Sequence, residues 1–139
     1  MATLHAAIGV MEVADAGKIL LLFESANLAH ITINEPDLDS VVFLLQVESS
    51  IPFDYAFRSN PLPHSARLHE DVYDLIQTHY LAKSSPIYIT EKGSEWVNGL
   101  LQHHKYTLDL LQPIAEQLKG LVGGGRDALF RLVYTAISR

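Results

Sequence analysis

Cysteine is absent from the 139-residue chain, which excludes disulfides, thiolate metal sites and cysteine nucleophiles. Long apolar runs are absent too. None exceeds five residues, Ile19 to Phe23 being one, whereas a membrane-spanning helix needs about 18. Positive charge is scarce: 10 Lys and Arg stand against 16 Asp and Glu, for a net charge of −6, and the cations are scattered from Lys18 to Arg139 without a cluster. Tight non-specific binding of nucleic acid needs clustered cations at the phosphates, so this balance works against it. The first dozen residues lack a basic segment, and Glu12 and Asp15 interrupt their apolar character. A secretory signal is therefore not expected, and the chain reads as cytoplasmic with no membrane partner. What is present is a 48% hydrophobic content, too high for a disordered tail and suited to one domain over residues 1–139.

No repeat or linker divides the chain. Residues Ala16 to Ala29 read as a first helix, with Ile19, Leu22, Phe23, Ala26 and Leu28 on its apolar stripe. Asn34-Glu35-Pro36-Asp37 is a helix start, followed by Leu38, Val41, Val42, Leu44 and Leu45, with an end expected near Val47. From Ile51 to Arg58, Phe53, Tyr55 and Phe57 share one parity and predict a short half-buried strand or extended segment. Asn60-Pro61-Leu62-Pro63 cannot be helix. Ser65 or His64 then opens the clearest helix, with Leu68, Val72, Leu75, Ile76 and His79 at a period of about 3.6. Pro86 to Thr90 predicts a strand running directly into a helix capped by Thr90 or Ser94, which continues through Trp96, Val97, Leu100 and Leu101. A further helix from about Thr107 to Leu121 is expected to kink or break at Pro113, and a last one spans Asp127 to Ile137 beyond Gly123-Gly124-Gly125. The expected fold is a mostly helical α+β domain.

Helix, helix, long helix and then a strand ending in Tyr88-x-Thr90-x-x-Gly93 is the plan of a winged helix-turn-helix. On that plan residues 16–104 form the helical and wing core, and residues 105–139 a C-terminal helical extension. Three pieces carry a narrower likeness: Leu38 to Gln46, Phe53 to Leu81, and Leu129-Phe130-Arg131-Leu132-Val133-Tyr134. Together they resemble the second helix, the aromatic strand with its turn and following helix, and the closing helix of the YwgA-like and Panacea (SocA-like antitoxin) families. The turn of those families usually reads Gly-Pro-Tyr-Ser, where this chain has Leu62-Pro63-His64-Ser65. The resemblance implies a non-enzymatic module that binds a partner protein, with no catalytic motif to carry across.

The residues offer no enzyme signature. Ser49-Ser50 and Ser84-Ser85 lack a nucleophile elbow, and Gly123-Gly124-Gly125-Arg126 lacks the Lys-Ser/Thr of a phosphate loop. His64, His69 and His79 lie on or beside one helix near Glu70, Asp71 and Asp74, but separations of five and ten residues miss the helical ligand spacing. His103 and His104 are adjacent and diverge by about 100° on a helix. No metal or other cofactor is therefore expected.

The face opposite the long helix's apolar stripe carries Arg67, Glu70, Asp71, Asp74 and Gln77, with Lys83, Tyr88 and Lys92 alongside in the expected wing. Three carboxylates would be repelled by a phosphate-lined groove. The first reading is thus a partner protein with basic groups, and a DNA-binding winged-helix transcription regulator is the alternative. Reversing Glu70, Asp71 and Asp74 to lysine is expected to leave folding intact and abolish capture. Leu129, Phe130, Leu132, Val133 and Ile137 occupy more than one stripe of the last helix. That surplus fits either a homodimer through the C-terminal helices or a helix central to its own core. Trp96, Tyr88 and Tyr106 are further candidate anchors.

Overall fold

Ile19 to Ala26 are buried without interruption, so the helix that carries them must have neighbours on every side. This helix, α1 (Asp15–Leu28), packs against α3 (Ala66–Gln77), β4 (Tyr88–Ile89), α4 (Glu91–His103), the 3-10 turn Leu108–Leu111 and α5 (Gln112–Val122). The computed structural model describes residues 13–48, 50–59, 61–84 and 86–138. The reading of the first dozen residues falls outside them. Helix α2 (Glu35–Val47) starts where Asn34 and Pro36 predict, and α6 (Arg126–Ile137) packs against α2 and α5. One buried cluster runs from Ile19 through Leu38, Leu68 and Leu101 to Val133. The fold is mostly helical α+β, with small antiparallel sheets. Among the described residues no helix is long and apolar enough to cross a membrane.

The segment Ile51 to Arg58 keeps the expected parity but forms almost no sheet. Phe53 and Tyr55 are buried and Phe57 half-buried, while Asp54 and Ala56 face out. Only β1 (Arg58–Ser59) pairs, with β2 (Pro63–His64). Pro61 and Pro63 supply no donors for a longer ladder. The backbone of Tyr55 is satisfied by a side chain instead: Gln46 Nε2 donates to its carbonyl at 2.9 Å, and its own N–H donates to Gln46 Oε1 at 3.1 Å.

Helix ends follow local chemistry. The Ser65 hydroxyl accepts from Leu68 N–H at 3.2 Å and caps α3, and Thr90 accepts from Gly93 N–H at 3.1 Å and caps α4. Three helices then stop at a left-handed residue that is not glycine: His30, His79 and Lys105. In each case the next residue, Ile31, Tyr80 or Tyr106, donates its N–H back five residues, to Ala26, Leu75 or Leu101. This is the closing pattern of a Schellman turn, with an apolar residue folding back onto the helix. Two of the seven histidines therefore end helices, and His79 leaves the apolar stripe assigned to it, being exposed.

After α3, β3 (Leu81–Ala82) pairs antiparallel with β4, and Ile33 forms a single bridge to Ile87. Pro113 marks a break as expected: a 3-10 turn over Leu108–Leu111 gives way to α5 with the proline in its first turn. Helix α6 buries Leu129 and Val133 and leaves Leu132, Tyr134 and Ile137 exposed, so it is not central to the core. Trp96 is half-buried against Gly17 of α1, and Tyr106 closes the end of α4.

Candidate functional site

Successive residues of α3 turn by about 100°, which sorts its side chains into four strips. Leu68, Val72 and Leu75 form the buried strip. Arg67 and Asp71 lie on one shoulder, His69 and Ile76 on the other. Glu70, Tyr73, Asp74 and Gln77, at i, i+3, i+4 and i+7, form the outer strip.

The Arg67–Asp71 shoulder is bonded to neighbouring elements. The guanidinium of Arg67 pairs with the buried Asp15 carboxylate at the start of α1 and lies 5.1 Å from the centre of the Tyr55 ring. Asp15 also accepts from Asp54 N–H at 3.1 Å, with Lys18 Nζ at 3.7 Å. The Tyr55 hydroxyl donates to Asp71 Oδ2 at 2.6 Å. Burial, the Asp71 hydrogen bond and the negative charges of Asp71 and Asp15 push the Tyr55 hydroxyl far above its ordinary range, against a smaller opposing effect of Arg67. Arg67 and Asp71 thus tie α3 to α1 and to the 53–55 segment, and a lysine at position 71 would remove the acceptor of the Tyr55 hydroxyl.

The outer strip is different. Glu70, Asp74 and Gln77 are exposed, Tyr73 is 61% exposed, and among the described residues neither carboxylate has an ion-pair partner. A groove of about 280 Å³ runs beside this strip between α3 and the start of α2, bordered by Glu35, His69, Tyr73, Ile76, Gln77 and Lys83. Lys83 is thereby brought to the strip as expected. Lys92 is not: its Nζ donates to the Thr78 carbonyl at 2.8 Å and lies 4.4 Å over the Tyr80 ring, pinning α4 to the end of α3. Tyr88 is 53% exposed but borders a separate hollow with Asn27, His30 and Ile31.

On the other shoulder His69 meets a residue that the sequence reading passed over. Its Nε2 lies 2.6 Å from Asp39 Oδ2, and His64 Nδ1 approaches the same oxygen at 3.4 Å. The two imidazoles stack at 5.2 Å. Asp39 Oδ1 accepts from Ser65 N–H at 3.1 Å, which fixes the carboxylate. His64 belongs to β2 and not to α3, so the helical spacing rule that set the pair aside does not govern it. No family model, curated protein or solved structure matches the chain. Three further cations have partners within the chain: Lys18 with the Pro52 carbonyl at 2.6 Å, Arg126 with Asp37 at 2.9 Å, and Lys119 with Glu116 at 3.3 Å.

Proposed function

We propose that this chain is a cytoplasmic, non-enzymatic interaction or regulatory module that takes a partner protein on the outer strip of α3. The observation that carries this reading is the set Glu70, Tyr73, Asp74 and Gln77: two unpaired carboxylates flank a largely exposed aromatic beside a groove, a composition suited to a basic partner. The likeness to the YwgA-like and Panacea families points to the same class. The order α1, bridge residue Ile33, α2, α3 and the β3–β4 hairpin supports a winged-helix-like arrangement. DNA binding is the weaker reading, because the outer strip of α3 is acidic and Lys18, Arg67, Lys92, Lys119 and Arg126 are already engaged. Exposed Leu132, Tyr134 and Ile137 on α6 support a homodimer through the C-terminal helices.

The test is a tagged pull-down from native extract, with and without nuclease, using wild type and the double variant Glu70→Lys/Asp74→Lys. Both positions are exposed, so the variant should keep the wild-type denaturation midpoint. Loss of a nuclease-resistant stoichiometric partner in the variant supports the reading. Undiminished capture removes the site, and co-purifying DNA whose affinity falls steeply with salt replaces it with the transcription-regulator reading.

A further inference from the structure

We propose that Asp39, His64 and His69 form a binding site for a divalent transition-metal ion, with Zn²⁺ the fitting occupant. This inference does not rest on the partner-binding reading. Three separate elements, α2, β2 and α3, each deliver one ligand atom, and the three atoms lie within 4.8 Å of one another. Imidazole nitrogens together with one carboxylate suit zinc, whereas calcium and magnesium take oxygen ligands. Bonds of about 2.05 Å in a tetrahedral shell place neighbouring ligand atoms about 3.3 Å apart. His64 Nδ1 and Asp39 Oδ2 already stand at 3.4 Å. The His69 Nε2 to Asp39 Oδ2 separation, 2.6 Å, has to widen by under about 1 Å to match that shell. His69 is one-third exposed at its side chain, so rotation of the ring can supply that change.

The carboxylate is held ready. Asp39 is 13% exposed at its side chain, and Ser65 N–H binds Oδ1 and leaves Oδ2 directed at the two rings. Such an outer partner orients a ligand as in established metal centres. Both nitrogens address a single oxygen, and one cation can be shared by all three atoms, whereas hydrogen bonding needs a separate proton on each nitrogen. Three protein ligands leave a fourth tetrahedral position open. His69 also borders the groove beside Tyr73, Gln77 and Lys83, so the centre lies at the edge of an accessible hollow.

The experiment titrates the full chain, free of any affinity tag and of chelators, with Co²⁺ and then with Zn²⁺ in competition, read by visible absorption and by calorimetry. The expected result is one equivalent of cobalt with the intense visible bands of four-coordinate geometry, bleached by one equivalent of zinc. His64→Gln, His69→Gln and Asp39→Asn should each weaken binding at least about tenfold. The asparagine retains an oxygen for Ser65 N–H, and His64 is 62% exposed at its side chain, so neither of those two variants endangers the fold. His103→Gln/His104→Gln should bind metal as wild type does. Absence of saturable binding in the wild type overturns the site and leaves a proton-held trio in its place. Binding that survives Asp39→Asn and His64→Gln together, or that disappears with His103 and His104, overturns it as well.

Discussion

Alanine at Gly93 is expected to destabilise the protein by at least about 2 kcal/mol, while the same substitution at Gly99, two turns along α4, is expected to stabilise it by about 1 kcal/mol. A methyl group on Gly93 would sit 2.3 Å from the Tyr80 carbonyl oxygen and 2.6 Å from Ile89 Cγ1. That carbonyl cannot retreat freely, because it accepts from Thr90 N–H at 3.1 Å, while the Thr90 hydroxyl holds the neighbouring His79 carbonyl at 2.6 Å. The clash falls where α3, the β3–β4 hairpin and α4 meet, so relief requires the hairpin to part from the helix. At Gly99 nothing beyond the adjoining residues and the helix's own backbone lies within 4 Å of the added methyl, and alanine there only restricts the unfolded chain and improves helix propensity. Urea denaturation with a common slope measures both. Equal effects of the two substitutions would show that α4 does not press on the hairpin.

Tyr88-x-Thr90-x-x-Gly93 shows how far the sequence reaches. The threonine cap was legible because a small hydroxyl before a helical run has a local geometry of its own. The need for glycine three residues later was visible as a pattern, but its cause, the Tyr80 carbonyl, comes from another turn of the chain. The same boundary between local and distant separates the rest. Helix α1 and the stripe of α3 follow from periodicity, and the start of α5 at Pro113 follows from a missing donor that only the first turn of a helix tolerates. The ends at His30, His79 and Lys105 carry no glycine, so the usual stop signal is missing. The polar-then-apolar pairs His30-Ile31, His79-Tyr80 and Lys105-Tyr106 are the signal that could have located them.

The candidate sites divide in the same way. The outer strip of α3 was legible, since Glu70, Asp74 and Gln77 need only helical geometry to be placed together. Asp39 was not, because 25 residues separate it in sequence from His64, and only the packing of α2 against β2 brings them together. Arg67 and Asp71 have the same polar character as Glu70 and Asp74. What distinguishes them is a partner on another element: Asp15, at the head of α1, and Tyr55, in an extended segment.

That partnership sets the second large effect. Arg67→Met is expected to cost about 2 kcal/mol, because it leaves the Asp15 carboxylate, 5% exposed at its side chain, with a lysine at 3.7 Å and a single backbone donor. The penalty stays below that of a fully buried pair since the arginine itself is 56% exposed. Arg67→Lys should not restore the loss, lacking the planar group that lies over the Tyr55 ring. Combining Arg67→Met with Asp15→Asn should recover at least about 1 kcal/mol relative to the sum of the single changes, since the charge is then gone and an acceptor for Asp54 N–H remains. Additive losses would mean that the two side chains are neighbours without being partners. Tyr55 extends the network toward alkaline pH. Its hydroxyl stays protonated in the folded state after an unfolded tyrosine, at about 10, has ionised. Above that pH the unfolded chain binds fewer protons than the native one, so stability falls as pH rises. Tyr55→Phe should be about 1 kcal/mol less stable at neutral pH through the lost Asp71 bond, yet should lose less on going from pH 9 to pH 11 than wild type does. Parallel pH profiles for the two proteins would place the proton affinity elsewhere among the tyrosines.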